Sequence, residues 1–371
     1  MTRFLPFLML VLGLAGCNKL RNWKYNPPNV LLISVEGLSC ALPCYGDSTF
    51  QTPNIDRLAM RSVIFEEAFA QHPTALLAST SIFTGLYPRM AIAKTGEGIY
   101  ESSVFSGLES GDYRIALPGW AATYQDAEAP VAISRYIEQD ESELSMAVNN
   151  PAVTEQAISL WAKYEGEPFF VNTHYRMNVV QSSSPKATYQ AALTEVDQEI
   201  GRLLDELMDQ QEASNTIVVL LGLNPMAVAY PINNREHFMP LYLKVPMLYY
   251  DFEQDSSRRV ADLTELRSLY PTLWERCLEA GQKIQACNAP SLSQILNGRF
   301  REIPYGETGL SNDRHYFAAY TSGLFYLSEF EGKEELFSLA PPHSEQLPGD
   351  TVPMDSLRRI FRQKYELSVM D

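Results

Sequence analysis

The side chains able to do chemistry are thinly spread along this 371-residue chain, which has five cysteines and five histidines. Cys40 and Cys44 form one near pair, Cys277 and Cys287 another. Neither spacing fits a zinc site, and no histidine cluster accompanies them. Thr74 follows Pro73 and offers a hydroxyl. A hydroxyl becomes a nucleophile only beside a base, a paired charge or a metal. The plain alternative is that Thr74 caps a helix. His72, Thr74, Ser79, Asn224 and Arg235 could together line a polar pocket suited to a sugar or a peptide.

Composition narrows what such a pocket could take. The formal charge is −16, with 29 basic against 45 acidic side chains. A general phosphate-backbone binder needs a basic face, so nucleic acid is excluded as a partner. The same acidity makes a polyanionic sulfated glycan a poor ligand unless a basic patch gathers. Apolar residues make up 46% of the chain, which suffices for a large buried core. Twenty Tyr and seventeen Phe supply core and interface material and do not by themselves mark a carbohydrate site.

The N-terminus reads as a targeting segment. Arg3 precedes an apolar run from Phe4 to Ala15 that is too short to span a bilayer. The run ends Leu14-Ala15-Gly16-Cys17, which looks like a bacterial lipobox. Residues 1–16 are therefore expected to be a lipoprotein signal peptide, with Cys17 lipidated and residues 17–27 a tether. Asn18 after the cysteine favours the outer membrane. The expected location is the bacterial cell envelope, lipid-anchored, in the outer membrane facing the periplasm or at the cell surface. In that oxidising compartment Cys40, Cys44, Cys277 and Cys287 allow three disulfide connectivities. Local pairing, Cys40 with Cys44 and Cys277 with Cys287, is the expectation.

The elements that must position these residues alternate. Asn29 to Val35 is a continuous β-branched run, as in a strand buried on both faces of a parallel sheet. Thr52-Pro53 opens a helix, with Thr52 as its cap. Ala75 to Phe83 is a helix closed by Thr84-Gly85, and Tyr113 to Leu117 is a short strand. Val153 to Tyr164 is helical, and Pro168 to Thr173 is a buried strand. In Tyr189 to Gln211 the apolar residues Ala192, Val196, Ile200, Leu203, Leu204 and Leu207 recur at helical spacing. Ile217 to Leu221 and Pro246 to Tyr250 are further strands. This order predicts an α/β fold with a doubly wound, mostly parallel sheet flanked by helices. After Leu292 the pattern changes. Tyr316 to Leu327 and Leu336 to Leu339 read as antiparallel strands and Met354 to Tyr365 as a terminal helix. An α/β domain over 28–300 and a C-terminal subdomain over 301–371 follow from that change.

Taken in order, these segments resemble the sulfatase family of the alkaline-phosphatase superfamily, over about residues 28–366. Asn29-Val-Leu-Leu-Ile-Ser-Val-Glu-Gly-Leu38 is similar to its opening strand. Cys44-Tyr-Gly46, Thr52-Pro-Asn-Ile-Asp-Arg-Leu58 and Phe65-Glu-Glu-Ala-Phe-Ala70 follow at family spacing, then Pro73 and Thr84-Gly-Leu-Tyr-Pro88. Val196-Asp-Gln-Glu-Ile-Gly-Arg-Leu-Leu-Asp205, Ile217-Val-Val-Leu-Leu221, Leu269-Tyr-Pro-Thr-Leu273 and the stretch Tyr320 to Leu339 complete the match.

The resemblance implies a cysteine matured to formylglycine, in a Cys-x-Pro-Ser-Arg pattern, beside a divalent cation. Pro73 and Thr84-Gly85 set the register, and they put Ala75 at the nucleophile position and Ser79 at that of the motif arginine. The paired aspartates after the first strand correspond to Glu36 and Gly37, and the later Asp-Asn or Asp-His pair to Leu223 and Asn224. A Gly-Lys-Trp-His segment appears as Gly119-Trp120-Ala121-Ala122. His174 reads as a strand-end histidine, and Arg235 as a surface arginine or a stand-in for a catalytic lysine. A methyl group cannot attack sulfur, and a hard dication needs several oxygen ligands. The expectation is a sulfatase-like membrane-anchored lipoprotein without catalysis, binding or scaffolding in the envelope, with an envelope protein or a glycan as partner and no cofactor. The alternative resembles the phospholipid-head-group transferases of the superfamily. It is an ester hydrolase or transferase using Thr74 and Glu36, with a calcium-like or manganese-like cation.

Overall fold

The computed structural model describes residues 26–93, 103–120 and 149–299, apart from 165, 180–183, 210–211, 226–242, 255–256, 279–286 and 288. Beyond residue 299 it describes the backbone of five strands and of Arg359. Cys17, Arg235 and Ala121-Ala122 lie outside the described residues, as does the expected terminal helix except for Arg359, which is helical.

The main sheet has eight strands. Seven lie in the order β3 (Arg114–Ala116), β4 (Phe169–Arg176), β1 (Asn29–Gly37), β5 (Thr216–Pro225), β6 (Lys244–Asp251), β2 (Val63–Phe69) and β7 (Arg258–Val260), and β8 (Thr264–Glu265) pairs beside β2. β6 runs antiparallel to both of its neighbours, and the other described pairings are parallel. Strands of such a sheet are buried on both sides, so their residues alternate between two apolar layers. In β1, Leu31, Ile33 and Val35 join one layer and Val30 and Leu32 the other.

Helices cover both faces. The first layer takes α1 (Pro53–Ala59), α5 (Asn150–Lys163) and α6 (Pro185–Asp209) through Ile55, Leu58, Val153, Ala157, Ile200 and Leu203. The second takes α2 (Ala75–Thr84), α4 (Val104–Ser110), α7 (Leu269–Cys277) and α8 (Leu292–Leu296), with α3 (Pro88–Ala93) following α2. Gly85 ends α2 in the left-handed region at φ 67°, the conformation that closes a helix at low cost only for glycine. A separate antiparallel sheet of five strands runs β13-β12-β11-β10-β9 within residues 305–347.

Two local expectations are corrected. The four described cysteines are thiols, and the Cys40–Cys44 and Cys277–Cys287 disulfides are not formed. Cys277 is buried on α7, and Cys287 turns its Sγ to the Gly85 carbonyl at 3.4 Å. Thr52 and Thr74 both precede helices, but neither hydroxyl caps one.

Candidate functional site

Parallel strands end together, so the ends of β1, β4 and β5 bring three chain segments to one pole of the sheet. In open α/β sheets such C-terminal strand ends are where ligands are received. Glu36 pairs in register with Arg176 on one side and with Asn224 on the other. The β1–β5 register shifts here, from Val35 opposite Gly222 to Glu36 opposite Asn224. Leu223 is thus the extra residue of a bulge. Its side chain is fully buried in the apolar layer that also contains Ala75.

Glu36 is answered by the protein's own basic side chains. Its Oε2 accepts a hydrogen bond from Arg176 Nε at 3.1 Å and lies 3.6 Å from His174 Nε2. Burial pushes the Glu36 carboxyl up, but His174 and Arg176 together outweigh burial and hold it below the ordinary value. His174 is completely buried and stacks on Trp120, with ring centroids 4.1 Å apart. Burial holds its imidazole below the usual value, and Glu36 only partly opposes that. Asn150 fixes Arg176 from α5. Its side-chain oxygen accepts from the Arg176 amide at 3.0 Å and its nitrogen donates to the Arg176 carbonyl at 3.0 Å. A second cation near this pole, Lys244 at the start of β6, is also taken, by Glu67 at 2.6 Å.

The expected metal positions do not fit a dication. Gly37 contributes no side chain, and its amide donates to Asn224 Oδ1 at 3.3 Å. Leu223 supplies no oxygen. The remaining carboxylate, Glu36, faces a guanidinium at hydrogen-bond distance, where a cation would be repelled. Among the described residues no three His, Cys, Asp or Glu side chains come together in a way that could hold a metal ion.

The segment after β2 carries the other candidates. Ala75 is buried at the first position of α2, and Ser79 is buried with its hydroxyl donating to the Leu76 carbonyl at 2.7 Å. Thr74 is exposed, and its Oγ1 lies 2.8 Å from Nδ1 of the buried His72. The Thr74 amide donates to the same Nδ1 at 3.0 Å, so that nitrogen is an acceptor and the hydroxyl donates to it.

The structure therefore joins Glu36, Gly37 and Asn224, which the sequence had placed together. It adds His174 and Arg176, which had not been joined to them. Their signal was available: residues two apart on a strand share a face, so a strand ending His-Tyr-Arg presents both basic side chains to one side.

Comparison with known proteins agrees with this architecture. The family model described as "Sulfatase" matches residues 28–275. Mouse iduronate 2-sulfatase is 47% identical over 60 residues, which is 16% of this chain and 11% of that protein. The N-acetylgalactosamine-6-O-sulfatase of Bacteroides thetaiotaomicron is 36% identical over 92 residues, 24% of this chain and 18% of that one. These matched segments thus span under a fifth of each relative. Among solved structures, one in complex with its substrate D-glucosamine-2-N,6-O-disulfate superposes with a TM-score of 0.74 at 12% identity, covering 94% of this chain and 99% of that one. The phosphonate monoester hydrolase of Agrobacterium radiobacter gives 0.70 at 15% identity, covering 92% and 95%.

Proposed function

The chain belongs to the sulfatase family, and from that premise we propose that it is a membrane-anchored envelope protein which keeps the family fold for binding or scaffolding and does not turn over esters. One observation carries this reading. At the pole where β1, β4 and β5 end, Glu36 is neutralised by Arg176 at 3.1 Å, and Leu223 beside it is sealed in the core. A cation-dependent ester hydrolase needs positive charge left over for the developing negative charge of its transition state. Here Arg176 and Lys244 each already hold a glutamate. The buried methyl of Ala75 heads α2 and offers no nucleophile. What remains is a polar, charge-balanced surface suited to an uncharged glycan or a protein segment. The anchor is Cys17, and the compartment is the periplasmic side of the outer membrane or the cell surface.

Metal analysis of the purified protein, with assays on aryl sulfate and aryl phosphate esters, tests this reading. The expected result is no stoichiometric divalent ion and no turnover. A bound ion that is lost in Glu36→Ala would overturn it.

A second reading is favoured by Thr74. Its hydroxyl donates to His72 Nδ1 at 2.8 Å, a pairing of nucleophile and base. That reading makes the protein an ester hydrolase or transferase. It requires aryl ester turnover that disappears in both Thr74→Val and His72→Ala.

A further inference from the structure

The ion pair at the strand-end pole leaves atoms unused on both partners. Arg176 gives only its Nε to Glu36, at 3.1 Å, and its Nη1 and Nη2 bond to no described residue. Other paired arginines are used to their tips. Arg57 reaches Asp205 and the Gly201 carbonyl, Arg202 reaches Glu199 and Glu155, and Arg259 reaches Glu66 and the Cys44 carbonyl, each with both terminal nitrogens. Glu36 is equally one-sided. Its Oε2 meets Arg176 and the His174 ring, whereas its Oε1 has no partner among the described residues. Neither nitrogen of the fully buried His174 ring is hydrogen-bonded, and Nε2 faces the pair at 3.6 Å. Buried polar atoms are seldom left that way. Asn150 fixes the Arg176 backbone through both its amide and its carbonyl, so the guanidinium is aimed from a rigid strand end. The two side chains are 39% and 30% exposed, so the pair is open to a ligand from solvent.

We infer that this pair binds a free α-amino acid, with the ligand carboxylate on the Nη1–Nη2 fork of Arg176 and the ligand ammonium on Glu36 Oε1. The inference rests on the reading of this pole as a binding site and narrows it to one ligand class. Three properties select that class. The planar end of a guanidinium matches a carboxylate with two parallel hydrogen bonds, and a carboxylate oxygen is best answered by a charged N–H donor. The charges of Glu36 and Arg176 cancel, and burial keeps the His174 imidazole on the neutral side. A net anion would therefore approach a chain of −16 with no uncompensated positive charge to receive it, whereas a zwitterion is neutral overall and lies antiparallel along the pair. Glu36 and Arg176 are also in direct contact, so the two ligand charges must be equally close, as they are on a single carbon. A neutral sugar supplies neither charge, and each end of a peptide supplies only one. Arg114 makes a similar single Nε contact, with Glu167, but it lies at the start of β3 and is 54% exposed, which makes it an internal control.

The test is saturation-transfer difference NMR at pH 7 on the chain from Asn18, which keeps every described residue. The probes are the twenty common L-amino acids, each alone, with D-glucose and cellobiose beside them. At least one amino acid should bind, and its N-acetyl and carboxamide derivatives should each bind at least about 10-fold more weakly, because each lacks one of the two charges. Arg176→Lys keeps the charge but not the fork and should weaken binding by a similar factor, while Arg114→Lys should leave it unchanged. The blocked derivatives are read on the unmodified protein, so the result stands even if a variant folds poorly. Binding by no amino acid, equal binding of the blocked derivatives, binding of the sugars alone, or binding indifferent to Arg176→Lys would each overturn the inference. The wider reading is decided separately, by metal analysis and ester assays on the same preparation. A bound ion or turnover would remove that reading, whereas a metal-free, inactive protein that binds no amino acid would overturn this inference alone.

Discussion

If Arg176 stands where a cation would otherwise be needed, the coupling between Glu36 and Arg176 should be present with every divalent ion removed. The double-mutant cycle Glu36→Gln, Arg176→Met and their combination isolates it, because each single change removes the pair while keeping side-chain length. Its size follows from geometry. The Nε–Oε2 distance is 3.1 Å, and the side chains are 39% and 30% exposed. Opposite charges about 4 Å apart attract by about 1 kcal/mol in water and about 4 kcal/mol at an effective dielectric of 20. Partial exposure and side-chain entropy hold the pair near the lower figure, and the charge-assisted hydrogen bond raises it somewhat. A coupling of about 1–1.5 kcal/mol is expected at neutral pH. Urea unfolding followed by tryptophan fluorescence is a suitable assay, because Trp120 stacks on His174 beside the pair. The pH dependence has a fixed sign. The folded Glu36 carboxyl titrates below its unfolded value, so its contribution is complete above about 4.5 and is lost as pH falls through the folded value. His174 adds in the same direction. Its folded value is also depressed, so stability begins to fall as pH drops through about 6.5. A coupling of zero in chelator, or one that appears only with added calcium or manganese, would refute the reasoning.

Other consequences are tested more simply. A methyl added at Gly222 would meet the Leu38 carbonyl oxygen at 2.6 Å, so Gly222→Ala should cost about 1–3 kcal/mol in urea unfolding. Glu265 and Arg267 form an ion pair at 2.5 Å with exposures of 0% and 2%. Arg267→Met should strand the carboxylate and cost about 3–5 kcal/mol, much of it recovered in the double variant with Glu265→Gln. Burial pushes the Cys277 thiol up to about 12, so iodoacetamide at neutral pH should leave it unmodified until the protein unfolds. Non-reducing peptide mapping should find no Cys40–Cys44 or Cys277–Cys287 link.

Much of the architecture was legible because its signals are local. The run Asn29 to Val35 lies within the observed strand Asn29–Gly37, and the repeat from Ala192 to Leu207 lies within the helix Pro185–Asp209. Gly85 was legible as a helix stop because a left-handed residue there is nearly a glycine requirement. The cysteine pairing failed for the converse reason. Sequence nearness says little about where two Sγ atoms point, and Cys287 turns toward Gly85.

Sequence alone thus determined the fold class and many of its helices and strands, though not the strand Val63–Phe69 or the helices Val104–Ser110 and Leu269–Cys277. Hydrophobic period and residue identity suffice for that. Tertiary structure decided what the residues expected at the site meet. Gly37 meets Asn224 across 187 residues, and Glu36 meets Arg176 across 140. The shift in register that buries Leu223 exists only once β1 and β5 pair. No local propensity encodes such contacts. They arise because parallel strands from distant parts of the chain must end at a common pole, where a lone carboxylate has to find its counter-charge.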